Sequence, residues 1–188
     1  MKSPFNNMML RKISGYSAVV SAALLLTPTH AEAKVNYVDP EDIIVNAENK
    51  YVDIDIDGDT VNDFRVELII DSTISTFYYY YTYYSTLFMK GLLPQNMIST
   101  FENFVIKNQK PENLTTIGKW DNNGVFCMAS ASTYGNTNSK GYWLTDNDSK
   151  YIGVKFNISG SIHYGWVRAS VNNAMGAMQI TIHDWTYE

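Results

Sequence analysis

The chain has 188 residues, a formal net charge of −5 and one cysteine, Cys127. A lone cysteine excludes an internal disulfide, and an acidic balance with no visible basic patch argues against a nucleic-acid partner. The length suits one domain with a sizeable core.

The first elements are targeting signals. Lys2, Arg11 and Lys12 precede an apolar run at 13–26, and Thr27-Pro28-Thr29-His30-Ala31-Glu32-Ala33 follows. A basic region, a short apolar core and small residues at minus three and minus one make a secretory signal peptide, with cleavage expected after Ala33. The run contains Ser14, Gly15, Ser17 and Ser21 and falls short of the roughly 20 apolar residues a membrane span needs. The mature chain is therefore expected to lack a transmembrane segment and to be secreted or periplasmic. No cysteine lies directly after the apolar core to carry a lipid anchor. Removing 1–33 takes away three basic residues and Glu32, so the formal charge moves from −5 to −7. Residues 34–188 are expected to form a single domain.

In that domain 41–45 suggests a first edge strand. At 51–56, Val52, Ile54 and Ile56 alternate with Tyr51, Asp53 and Asp55. At 64–70, Phe64, Val66, Leu68 and Ile70 alternate with Arg65, Glu67 and Ile69. Period-2 patterns of this kind predict half-buried strands. Between them lies Asp55-Ile56-Asp57-Gly58-Asp59-Thr60-Val61-Asn62-Asp63, with carboxylates at positions 1, 3, 5 and 9. Each pair of like charges at roughly 5 Å repels by about 1 to 3 kcal/mol. A bound cation would remove that cost. Oxygen ligands without nearby His or Cys select a hard ion, and the flexible six-to-eight-oxygen shell of Ca²⁺ fits better than Mg²⁺.

Two registers compete within the loop. Counting from Asp53 puts Gly58 at position 6 of a helix-loop-helix calcium loop, but position 9 is then Val61 and position 12 is Phe64, so the closing acid is missing. Counting from Asp55 assigns side-chain oxygens from Asp55, Asp57, Asp59 and Asp63 and the backbone carbonyl of Val61. That pattern, Asp55-Ile56-Asp57-Gly58-Asp59 with Asp63-Phe64, resembles the calcium hairpin of FG-GAP and related bacterial repeat proteins. The resemblance implies one structural Ca²⁺. Thr60 stands where that family usually has Gly, a departure expected to strain the turn because non-Gly residues resist positive φ. An acidic, solvated hairpin without metal is the alternative.

Phe77-Tyr78-Tyr79-Tyr80-Tyr81-Thr82-Tyr83-Tyr84 would place rings on both faces of a strand. The tract is read either as a strand buried on one face or as a stacking platform for sugar rings, with a sticky contact surface as a third option. Residues 98–106 are compatible with a short helix or a strand, 108–112 with a loop around Pro111, and Trp120 leads into a turn through Asp121-Asn122-Asn123-Gly124. The stretch 125–131 is expected to enter the core with Cys127 as a small buried hydrophobe. A surface loop is expected at 133–141 and a short strand at 141–144.

The last forty residues carry the clearest strand pattern. Ile152, Val154, Phe156 and Ile158 line one face of 151–158, Ser159-Gly160 turns, and 161–171 returns. A two-residue turn sets Val154 opposite Gly165 and Gly153 opposite Trp166, so each large side chain meets a gap. A final strand is expected at 178–187. Tyr151-Ile152-Gly153-Val154-Lys155-Phe156, His163-Tyr164-Gly165-Trp166-Val167-Arg168 and Asp184-Trp185-Thr186-Tyr187 are similar to a pattern in exported bacterial proteins of unknown function, many with PEP-CTERM or type IX sorting tails. The resemblance implies export and a β-rich domain. The sequence shows no sorting tail after Tyr187, so surface attachment is not among the expectations drawn from the resemblance.

Catalytic signals are sparse. Cys127 has no visible activating base, no serine lies in a nucleophile-elbow pattern, and His163 reads as a satisfied core or edge histidine. Asp184 follows His183, but neighbours on a regular strand face opposite sides, so no dyad between them is expected. Paired acids for glycoside hydrolysis depend on the fold rather than on sequence spacing. The chain reads as an all-β protein, an antiparallel, jelly-roll-like β-sandwich. Its expected role is a non-catalytic structural or interaction module with one calcium site. The alternatives are a glycan-binding module using the tyrosine tract with Trp143 and Trp166, and a carboxylate-dependent hydrolase. The partner is expected at the cell surface, a glycan or a protein.

Overall fold

The computed structural model describes residues 34–75, 80–109, 119–122, 124–132, 139–144, 148–174 and 177–188, the side chains of 73–75, 80–82, 174 and 177 excepted. The signal peptide, the tract residues Phe77, Tyr78 and Tyr79, and most of the 133–141 loop lie outside them. The β domain comprises Asn36–Glu188.

The described residues form an all-β fold of twelve strands. They are β1 (Asn36–Val38), β2 (Ile43–Val45), β3 (Tyr51–Ile54), β4 (Phe64–Ser75), β5 (Tyr80–Gly91), β6 (Met97–Phe101), β7 (Phe104–Val105), β8 (Lys119–Asp121), β9 (Phe126–Ser132), β10 (Lys150–Ile158), β11 (Ser161–Ala174) and β12 (Ala177–Tyr187). One continuous hydrogen-bonded sheet runs β1-β12-β11-β10-β6-β7-β9-β5-β4-β3, with β2 also on β12 and β8 on β6. The β7–β9 pair is parallel. Two meanders, β3–β4–β5 and β10–β11–β12, supply the large surfaces. They share one core: Ile54, Phe64, Val66, Leu68, Leu87 and Met89 from the first pack with Ile152, Val154, Phe156, Val167, Ala169, Ile180 and Ile182 from the second. Phe64 meets Phe156 edge to face at 6.4 Å between centroids. The sheet is not closed into a barrel; its two halves stack as the layers of a sandwich, as period-2 patterns with one apolar face require.

The predicted C-terminal register holds, with Val154 opposite Gly165 and Gly153 opposite Trp166. Gly165 answers a second demand as well, because a Cβ there would run into the Thr186 backbone carbonyl on β12.

Three expectations change, and one open alternative is decided in favour of strand. Ile70 does not join Phe64, Val66 and Leu68 in the core. Ile69 and Ile70 are both exposed, as are Tyr83 and Tyr84 on β5, so this part of the β4–β5 hairpin meets solvent on both faces. The ambiguous 98–106 stretch is a hairpin of β6 and β7, turned at Glu102 (φ 52°) and Asn103 (φ 68°), the paired left-handed residues a tight two-residue turn requires. The 141–144 segment is not a strand. It is a turn whose Trp143 is 1% exposed and donates its indole N–H to the Val105 carbonyl at 3.2 Å. Cys127 is half-buried rather than fully buried. Among the described residues no helix is long and apolar enough to cross a membrane.

Candidate metal centre

The acidic loop joins β3 to β4 and is built by its own carboxylates. The Asp63 amide donates to the Ile54 carbonyl at 2.8 Å, and Asp63 Oδ2 accepts the Ile56 amide at 2.9 Å. Asp55 takes two amides, Gly58 N–H on Oδ1 and Thr60 N–H on Oδ2, both at 2.8 Å. Asp57 Oδ1 accepts the Asp59 amide at 3.1 Å and Asp59 Oδ1 the Val61 amide at 2.8 Å. Such side-chain-to-backbone bonds fold a short loop back on itself. They also bend it through the left-handed region at Gly58 (φ 79°) and Thr60 (φ 75°). Thr60 therefore occupies a left-handed conformation that glycine adopts at lower cost.

Three carboxylates converge. Asp55, Asp57 and Asp63 each place an oxygen within 4.8 Å of the others. Asp63 is the buried member, only 4% exposed. Its carboxyl is pushed above the usual carboxylate range by burial, with Asp57 and Asp55 adding repulsion, while hydrogen bonds from Ile56 and Asn96 act in the opposite direction. Burial also raises Asp57, reinforced by Asp59 and Asp55. These are the signs of negative charge gathered without a counter-charge. Asp59 is not a member of the converging group, and the Val61 side chain is exposed.

Residues distant in sequence hold the loop in place. Asn96, fully buried, donates from Nδ2 to the Asp63 backbone carbonyl at 2.9 Å and to Asp63 Oδ1 at 3.0 Å. The Leu92 amide gives that carbonyl a further bond at 2.7 Å. Trp185 of β12 donates its indole N–H to the Ile56 carbonyl at 3.2 Å. Tyr187 feels the same charges: its phenol is held above its ordinary value by burial first and then by Asp57 and Asp55. Local patterning does not point to Asn96 or Trp185. The one sequence signal was the Asp184-Trp185-Thr186-Tyr187 motif, whose purpose had no spatial context.

The donor set fits a hard cation. Three carboxylates offer up to six oxygens, all of one chemistry, which is what Ca²⁺ accepts and what softer metals do not select.

The remaining candidates lie elsewhere. Trp143 and Trp166 are 1% and 4% exposed, so neither belongs to a surface stacking platform. Trp166 packs edge to face on Tyr151 at 4.9 Å instead. Burial raises the Cys127 thiol, which keeps it protonated and poorly nucleophilic. His163, near the start of β11, has its Nδ1 2.6 Å from the Glu188 backbone oxygen, so it has a partner on an inner strand rather than at an edge. His183 and Asp184 do not pair with each other, but the physical reason differs from the expected one. Arg168 is paired with Asp184 and Ala169 with Ile182, so His183 is the extra residue of a β-bulge. Ile182 and Trp185 face the core on either side, and the bulge turns both His183 and Asp184 to the outer face. There Asp184 binds Arg168 side-on and accepts the Tyr37 hydroxyl at 2.7 Å, while His183 takes other partners. No family model, curated protein or solved structure matches the chain.

Proposed function

We propose that this chain is an exported structural or interaction module whose first long hairpin is clipped by one calcium ion. The observation that carries the reading is the convergence of Asp55, Asp57 and Asp63 on one point at the β3–β4 turn. In this reading those carboxylates hold the ion, Asp59 and the Val61 carbonyl complete its oxygen shell, and the neutralised charge locks the loop. The loop is held by Asn96 from the β5–β6 connection and by Trp185 from β12, so the ion ties the turn to two distant parts of the domain. The order of residues within 1–33 supports export.

Melting curves with calcium and with chelator test this. Calcium at about 100 times its dissociation constant contributes about 2.7 kcal/mol, a rise of roughly 5–10 °C for a domain of this size. Asp57→Ala is expected to abolish the rise. Terbium luminescence excited through Trp185 provides a direct binding readout. Superimposable curves with calcium and chelator would sink the reading.

A second reading, glycan binding at the tyrosine tract, rests on the exposure of Tyr83 and Tyr84, one ring on each face of β5. Glycan-array binding lost in a Tyr83→Ala, Tyr84→Ala double variant supports it, and binding unchanged in that variant rejects it.

A further inference from the structure

Beside the bulge, His183 belongs to a second group of side chains, separate from the calcium hairpin. Asp42 directly precedes β2, His183 lies on β12 and Ser170 on β11, so three segments meet on one outer face. Asp42 Oδ1 is 2.8 Å from His183 Nδ1, and Ser170 Oγ is 2.9 Å from His183 Nε2. An ionised carboxylate only accepts hydrogen bonds, so the proton on a neutral His183 ring belongs at Nδ1. Nε2 then carries the lone pair, and the Ser170 hydroxyl must donate to it. That is the arrangement that turns an ordinary serine into a nucleophile: base in contact, base oriented by an acid.

The surroundings add what such a group uses. Arg168, two residues before Ser170 on the same face, is held by Asp184 through Nε and Nη2, with Nη1 outside that pair. Ile44, 42% exposed, pairs with Thr181, and Thr181 pairs with Ser170. A cationic side chain thus neighbours the serine along β11, and an exposed apolar side chain lies in the same row beyond Thr181. Ser170 is half-buried and the Asp42 side chain 60% exposed, so the row is open to solvent.

We propose that Ser170, His183 and Asp42 form an acyl-transfer site that hydrolyses carboxylic esters with a small apolar acyl group. Ser170 Oγ forms a bond to the acyl carbon while its proton passes to His183 Nε2. Asp42 holds the ring and balances its charge. Arg168 supplies an N–H to the oxyanion, and Ile44 covers the acyl chain. Collapse breaks the ester C–O bond, and the leaving alcohol takes the proton from Nε2. A water molecule, deprotonated by Nε2, then attacks the acyl-serine, releases the carboxylic acid and restores the Ser170 hydroxyl. Ester and water become acid and alcohol, with no other reactant.

The test is covalent labelling of the purified full chain with a fluorophosphonate probe, the adduct located by peptide mass spectrometry. An adduct on Ser170, absent in Ser170→Ala and formed about 100-fold or more slowly in His183→Gln, is expected from loss of a general base. Asp42→Asn, at an exposed position, is expected to slow labelling and to lower kcat for p-nitrophenyl acetate more than it changes KM. A folded chain with no Ser170 adduct, or an adduct rate indifferent to His183→Gln and Asp42→Asn, overturns the proposal and leaves the three residues as a clasp between β2 and β12.

Discussion

The Asn96 carboxamide grips Asp63 twice from one nitrogen, at 2.9 Å to its backbone carbonyl and at 3.0 Å to its carboxylate. Asn96 has no exposed surface, and its own Oδ1 has no hydrogen-bond partner among the described residues. A buried amide left half-satisfied is costly, and it is retained where its other half holds something. Here it holds the one buried acid of the cluster. Gly91 makes room for it, since a Cβ there would strike the Asn96 carbonyl.

Asn96→Ala removes both bonds and leaves Asp63 with less compensation for its burial. The expected loss is about 1–3 kcal/mol, the cost of an unmade hydrogen bond to a buried charged group. Urea unfolding reads it as a lower midpoint at constant slope. Calcium is expected to recover part of the loss, because the ion replaces the missing partner of the carboxylate. A midpoint equal to that of the parent chain rejects this account of Asn96.

Thr60 sits at φ 75° with its amide bound to Asp55. The left-handed conformation costs a residue with a Cβ about 1–2 kcal/mol, while glycine adopts it freely. Glycine also loses more freedom on folding, which offsets part of the gain. Thr60→Gly is therefore expected to stabilise the chain by about 1 kcal/mol and to tighten calcium binding. Thermal melts with and without calcium check both. A destabilised variant would show that the threonine side chain makes a compensating contact.

Asp121 joins β8 to β6 by accepting the Thr100 hydroxyl at 2.5 Å and the Lys119 ammonium at 2.7 Å. These bonds, Lys119 first and Thr100 second, hold its carboxyl below the usual carboxylate range. The folded state thus prefers the ionised form. The stabilisation is fully present above the unfolded value of about 3.9 and is lost as pH falls through the lower folded value. The Lys119 side chain is 78% exposed, so most of the effect comes from Thr100. Asp121→Asn is expected to cost about 1 kcal/mol at pH 7. The gap between variant and parent should close in acid. A gap independent of pH rules out the ionised carboxylate as its source.

Much of the architecture was legible in the sequence because strand periodicity is a local property. Ile152, Val154 and Phe156 alternate with polar or small residues, and a two-residue turn leaves only one register that places Trp166 over Gly153. The acid spacing of the β3–β4 loop was equally local, and so was the position of Thr60. Reading failed where a second element decides the outcome. Ile70 has the right phase for the core but lies on a part of the hairpin exposed on both faces. Gly141-Tyr142-Trp143-Leu144 has strand composition, yet the Val105 carbonyl fixes Trp143 in a turn.

By itself, then, the sequence determined the all-β class, the C-terminal hairpin register and a carboxylate-rich turn, because each depends on the alternation or spacing of neighbouring residues. The tertiary structure decided which of the acids converge, since that depends on Asn96 arriving from the β5–β6 connection and Trp185 from β12. It also decided the face of Asp184, which the alternation of Ile180 and Ile182 would have sent inward. One extra residue in a ladder reverses the alternation on which sequence reasoning relies, and no local pattern around His183 announces it.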